Sequence, residues 1–120
     1  MRTALITGAS RGLGRALARA LAERGWRLVI DARGVTDLEA VAEELRDRTD
    51  IVAIAGDVGD ESHRTALIDA VGGGRLDLLV NNASLLGPSP QPRLADYDPD
   101  VLRAVYDVNV FGPLRLTQLA

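Results

Sequence analysis

Thr7-Gly8-Ala9-Ser10-Arg11-Gly12-Leu13-Gly14 is the stretch that decides how this chain is read. Arg2 to Ile6, before it, has the composition of a buried strand, and from Arg15 onward the chain is helical in character, rich in Ala and Leu. Three glycines at a strand-to-helix turn let the backbone approach a ligand where any Cβ would collide. The N–H groups of the first helical turn lack partners, and the helix dipole places positive potential there. A pyrophosphate set at that end satisfies both. The turn therefore reads as a nucleotide-phosphate cradle, with Gly8, Ser10, Arg11, Gly12, Leu13 and Gly14 as its candidate contacts.

Spacing narrows the kind of cradle. A P-loop needs Lys and then Ser or Thr after its last glycine, whereas Gly14 is followed by Arg15 and Ala16. The G-x-G-x-x-G dinucleotide fingerprint is also absent; the pattern is T-G-x-x-x-G-x-G. Further along, the apolar run Ile51 to Ala55 ends in Gly56-Asp57-Val58, and Leu76 to Val80 ends in Asn81-Asn82-Ala83-Ser84. Each polar group lies just past the carboxyl end of an expected strand, where open α/β sheets bind ligands. Taken singly, Asp57 serves equally as a helix cap or turn residue, and Asn81 and Asn82 as a hydrogen-bonded strand end.

In this order and spacing, the motifs resemble the short-chain dehydrogenase/reductase family in its plain, single-domain branch, and they span nearly the whole chain. The extended branch, with its T-G-x-x-G-x-x-G turn, does not fit. The resemblance implies that Asp57 and Val58 meet the adenine, and that Asn81, Asn82 and Ala83 match the family's Asn-Asn-Ala-Gly after the fourth strand. Ser84 stands where the family has Gly.

Composition agrees. An apolar content of 47% over 120 residues suffices for one small domain with a core, residues 1–120 forming a single dinucleotide-binding unit. A formal charge of −3 gives no electrostatic case for nucleic acid or an anionic membrane. With no cysteine and one histidine, His63, there is no thiol nucleophile, disulfide framework or His cluster, and no metal site is expected. No apolar run is long enough to span a bilayer, and the first strand begins too early for a signal peptide. A cytoplasmic protein is the expectation.

Strands are expected near 2–6, 27–31, 51–55 and 76–81, and helices near 13–24, 37–48, 60–71 and 99–119. Thr36-Asp37-Leu38-Glu39 reads as a capping box for the second helix, whose Leu38, Val41, Ala42 and Leu45 form a one-sided apolar stripe. The third carries Ala66, Leu67, Ala70 and Val71 on one face and stops at Gly72-Gly73-Gly74. His63 falls near the edge of that face and is expected in solvent. Gly87 to Pro92 is a proline-rich loop, and Asp98-Pro99 offers an N-cap with proline at the first helical position. The alternation predicts an α/β, Rossmann-like doubly wound parallel sheet with strand order 3-2-1-4.

The end of the second strand bears on cofactor choice. A carboxylate there binds the ribose hydroxyls, and a basic group accepts a 2′-phosphate. The resemblance places the NAD-selecting carboxylate at Ala32, which has none. Arg33 follows, and Arg11 in the turn is within reach of the same phosphate; two guanidinium forks on one phosphate form a strong arrangement. NADP(H) is the expected cofactor, with NAD(H) the alternative. Asp31 points to the opposite face by strand alternation, yet a one-residue shift would make it the ribose ligand.

On the last helix, Leu102, Val105 and Asn109 share a face, which turns Asn109 inward. Pro113 has no N–H for the Asn109 carbonyl, so a kink is expected there. Asn109-Val110-Phe111-Gly112 resembles the family's Asn-x-x-Gly, whose Asn belongs to the catalytic set and anchors a water through its carbonyl. The resemblance also implies a Ser and a Tyr-x-x-x-Lys. Neither Tyr97 nor Tyr106 has a Lys four residues on, and the chain contains no lysine. The chain is accordingly expected to be the cofactor half of an NAD(P)-dependent oxidoreductase, truncated before a fifth strand and inactive alone. A small carbonyl or alcohol substrate would be handled only by a complete chain. The alternative is a non-catalytic dinucleotide-binding or interaction module. An uncovered fourth strand and last helix predict a homo-oligomer.

Overall fold

The computed structural model describes residues 1–120. Four strands, β1 (Thr3–Ile6), β2 (Arg27–Ala32), β3 (Ile51–Ala55) and β4 (Leu78–Val80), alternate with helices α1 (Gly12–Glu23), α2 (Val35–Leu45) and α3 (Glu61–Val71). After a 3-10 turn at Leu94–Asp96 come α4 (Pro99–Tyr106), a π-helical turn (Asp107–Phe111) and α5 (Gly112–Leu119). All pairings are parallel and the order is β3-β2-β1-β4, as the alternation predicts. No helix is long and apolar enough to cross a membrane.

Strand alternation sorts the core into two layers. Ala4, Ile6, Leu28, Ile30 and Ala32 pack with Ala18 and Ala22 of α1 and the stripe Leu38, Val41, Ala42 and Leu45 of α2. Leu5 and Val29 turn the other way, toward Leu67 of α3, Val108 and Leu116. Full burial of a side chain such as Leu67 or Leu116 contributes about 2 kcal/mol. Between α1 and α2, Glu44 accepts hydrogen bonds from Arg15 and Arg19, which hold its carboxyl below the usual range.

Several expected boundaries move. Helix α2 starts at Val35 with Gly34 as its cap, and no side chain caps it, so the expected capping box is not formed. The apolar stripe fixes which face of α2 is buried but leaves its first residue free to shift. Strand β4 is three residues long because Asp77 leaves the ladder pattern: its carboxylate accepts the Thr3 N–H at 2.9 Å and its own N–H donates to the Thr3 carbonyl. Gly72, at φ 86°, ends α3, and the Asp98 carboxylate caps α4 by accepting from the Asp100 N–H at 2.9 Å, both as expected.

The expected single helix over 99–119 is two helices joined by the π-helical turn. That turn inserts one residue, so the stripes on either side do not line up. Val108, Gly112 and Leu116 are buried, while Leu102 is 39% exposed and Asn109 is exposed. The inward orientation expected for Asn109 is therefore corrected. Its carboxamide lies along the backbone of Leu85, accepting the N–H at 2.7 Å and donating to the carbonyl at 2.8 Å.

Candidate functional site

The carboxyl ends of the strands open on a cleft of about 460 Å³. Its first wall is the β1–α1 turn. Gly8 and Gly12 have φ of 66° and 59°, a region that side-chain-bearing residues rarely adopt. Arg11 is the N-cap of α1 in extended conformation, and no side chain caps the helix. The first-turn N–H groups are thus left to a ligand at the end where Arg11 and Gly12 line the cleft. Gly14 has another task. A Cβ there would lie 2.2 Å from the Gly8 carbonyl oxygen and 2.6 Å from Asn82 Nδ2, so its bareness lets α1 pack on the turn.

Hydrogen bonds from distant segments hold the turn. Buried Thr7 accepts at Oγ1 from the N–H groups of both Asn82 and Ala83, each at 3.0 Å. Asn82 Nδ2 donates to the Gly8 carbonyl at 3.0 Å. From β2, Asp31 accepts the Gly8 N–H at Oδ1, 2.8 Å, and its main-chain carbonyl accepts the Ala9 N–H, also at 2.8 Å.

The second wall carries Ala32, Arg33, Asp57 and Val58. Ala32 offers no polar group. Arg33 Nη2 lies 3.5 Å from Asp57 Oδ2 with both side chains well exposed, a contact worth little in water and readily displaced. Asp57 Oδ1 also accepts the Gly59 N–H at 2.8 Å in a local turn, so the cap-like reading of this residue and its place on the cleft hold together.

Of the residues singled out in the sequence, Gly8, Ser10, Arg11, Gly12, Asp31, Ala32, Arg33, Asp57, Val58, Asn82 and Ala83 meet on this cleft. Ser84 joins them with an ordinary backbone, since no residue other than glycine has positive φ. Leu13 (67% exposed), Gly14, Asn81 and Asn109 lie outside its lining. Asn81 is exposed and reaches Thr117 Oγ1 at 3.5 Å.

His63 departs most from expectation. It is not in solvent: it is 8% exposed, with Nε2 2.8 Å from Asp31 Oδ2. Its partner is 32 residues away on another element, and helical periodicity carries no trace of such a pairing. With both carboxylate oxygens engaged, Asp31 is not disposed as the ribose ligand that a one-residue shift would have made it. Sequence reasoning missed Asp31 and His63 as a pair. The available signal was a charged residue inside an otherwise apolar strand, which requires a partner.

The family described as short chain dehydrogenase matches residues 2–120. The serine 3-dehydrogenase of Agrobacterium fabrum is 38% identical over 118 residues, covering 96% of this chain and 45% of that protein. The crystal structure of L-sorbose reductase from Gluconobacter frateurii, complexed with NADPH and L-sorbose, superposes with a TM-score of 0.87 at 28% identity, over 98% of this chain and 45% of the other. A metagenomic short-chain oxidoreductase in complex with NADP gives a TM-score of 0.87 at 36% identity, over 98% of this chain and 54% of the other. The chain spans about half the length of the curated relatives it matches.

Proposed function

The chain belongs to the short-chain dehydrogenase family, and from that premise we propose that its cleft holds a nicotinamide dinucleotide, NADP(H) in preference to NAD(H). The observation that carries this reading is the turn without Cβ atoms at Gly8, Gly12 and Gly14, ending in an uncapped helix N-terminus that faces the cleft. In this reading the first turn of α1 would hold the pyrophosphate, Asp57 and Val58 the adenine end, and Arg11 and Arg33 the 2′-phosphate that Ala32 does not repel. The solved relatives that carry NADPH or NADP support the same choice.

A nicotinamide held there would supply hydride transfer, in the manner of a carbonyl reductase or alcohol dehydrogenase acting on a small substrate. Asn109 is suited to the proton side of that chemistry. Its carboxamide is committed to Leu85, and the residue four positions on, Pro113, has no N–H to offer its main-chain carbonyl. That carbonyl is the water anchor we assign. The 120 residues supply no Tyr-x-x-x-Lys, and without a proton donor carbonyl reduction is very slow. They therefore bind cofactor without turning it over.

Titration of the 120-residue chain with NADPH, followed by turnover assays on ketones and aldehydes, tests the proposal. Saturable binding without protein-dependent NADPH oxidation is expected. Sustained oxidation would place a proton donor among these residues and overturn the assignment, and absence of binding would overturn the cofactor reading.

Association is a further part of the proposal. Tyr106, Phe111 and Leu114 are each about half exposed along α4, the π-helical turn and α5, and β4 pairs only with β1. An apolar helix face beside an open sheet edge favours self-association. Light scattering is expected to show dimers or larger species, reduced by Leu114→Lys. A monodisperse monomer across a wide concentration range would contradict this.

A further inference from the structure

The cleft reading leaves the buried imidazole of His63 without a task. Asp31 lines the cleft though only 1% exposed, and its partner His63, 8% exposed, lies outside the lining. A carboxylate accepts at both oxygens, and a His63 tautomer that carries its proton on Nε2 complements the Oδ2 position. Held at Oδ2 by His63, Asp31 presents Oδ1 to the Gly8 N–H, while its carbonyl takes the Ala9 N–H. One residue of β2 thus fixes two successive amides of the glycine turn.

His63 is itself seated by a third element. A Cβ on Gly56, just past β3, would lie 2.3 Å from Nδ1 and 2.7 Å from Cγ and Cε1 of the imidazole. The ring can therefore lie where it does only over a glycine. The chain of contact runs from Gly56 through His63 and Asp31 to Gly8, crossing β3, α3, β2 and the turn after β1. A buried carboxylate that loses one of its two donors is left with a lone pair facing low-dielectric surroundings, and it reorients toward water or another donor. That movement would release Gly8.

We propose that Asp31 and His63 are a positioning pair, in which His63 orients the Asp31 carboxylate so that the Gly8 amide is held in the conformation that receives a dinucleotide phosphate. The inference rests on the cofactor reading given above. It makes affinity depend on an imidazole that does not line the cleft.

The test combines NADPH titration with the amide resonance of Gly8, measured on wild type, Asp31→Ala, Asp31→Asn, His63→Ala and Gly56→Ala below each variant's melting temperature. Asp31→Ala and His63→Ala are expected to weaken NADPH binding by about tenfold or more, the scale of a lost hydrogen bond to a charged group. Asp31→Asn keeps an acceptor for Gly8, and its NH₂ donates to His63 Nε2 in the tautomer protonated at Nδ1, so it is expected to retain most of the affinity. The Gly8 resonance is expected to move in His63→Ala although His63 makes no hydrogen bond to Gly8. Gly56 lines the cleft, but its Cβ would meet the His63 ring, so Gly56→Ala should shift the Gly8 resonance as His63→Ala does, and the double variant should shift it no further.

Wild-type affinity together with an unshifted Gly8 resonance in His63→Ala would overturn the pair, as would a melting temperature lowered in every variant with affinity and resonance unchanged. Failure of the wild type to bind NADPH would instead overturn the cofactor reading. The Gly8 resonance would still decide whether His63 governs the turn.

Discussion

Arg33→Ala is expected to weaken NADPH binding by about ten- to a hundredfold and to leave NADH binding within about a factor of two, the difference a charge-assisted bond to a phosphate supplies. Arg33 is well exposed on the cleft, and its only ionic partner is Asp57 at 3.5 Å. A dianionic 2′-phosphate outcompetes a single exposed carboxylate for that guanidinium, so the existing pair costs little to break. Ala32→Asp is the complementary change. It places a carboxylate at the end of β2, where it attracts ribose hydroxyls and repels the phosphate, and it should reverse the preference. Parallel titrations of NADPH and NADH against the two variants and the wild type measure this. Equal loss for both cofactors in Arg33→Ala would mean that the residue shapes the cleft and does not read the phosphate.

Gly14→Ala is expected to destabilise the fold by about 3 kcal/mol, at the upper end of what overpacking costs. It should also abolish measurable cofactor binding. Gly14 lies outside the cleft lining, so the effect cannot come from filling the site. The new Cβ would meet the Gly8 carbonyl oxygen at 2.2 Å, its carbon at 2.9 Å and Asn82 Nδ2 at 2.6 Å. Two of these atoms are backbone, and the third is tied to the same carbonyl at 3.0 Å, so no flexible side chain can absorb the clash. Either α1 retreats from the turn or the Asn82–Gly8 bond breaks. Gly12→Ala is the contrast: nothing lies within 4 Å of its Cβ position, and its penalty is the positive φ alone. Thermal unfolding and NADPH titration of both variants check this. A Gly14→Ala protein with wild-type melting and affinity would refute the packing role.

The sheet order and most of the cleft were legible because both depend on short-range patterns. Apolar runs of strand length, a stripe such as Leu38, Val41, Ala42 and Leu45, and polar groups just past strand ends are local signals that a parallel sheet then gathers at one edge. What was not legible depended on contacts between distant segments. Helical periodicity places His63 in solvent because its helix face says nothing of a carboxylate 32 residues earlier. A uniform helical repeat across 99–119 turns Asn109 inward, and the π-helical turn breaks that repeat. The capping box at Thr36 failed for a milder reason. The stripe of α2 is satisfied equally by a helix that begins at Val35.

The bonds from Thr7 to Asn82 and Ala83 join residues 75 and 76 positions apart, and the bond from Asn82 back to Gly8 spans 74. Contacts this distant along the chain form late, because most of the loop-closure entropy must be overcome before they contribute. The turn after β1 is made early in sequence order but acquires its binding shape only when β4 docks. A ligand that recognises the turn therefore finds nothing to hold in a half-folded chain. It should leave the refolding rate unchanged and slow unfolding, so its stabilising effect would appear almost entirely in the unfolding limb of the kinetics.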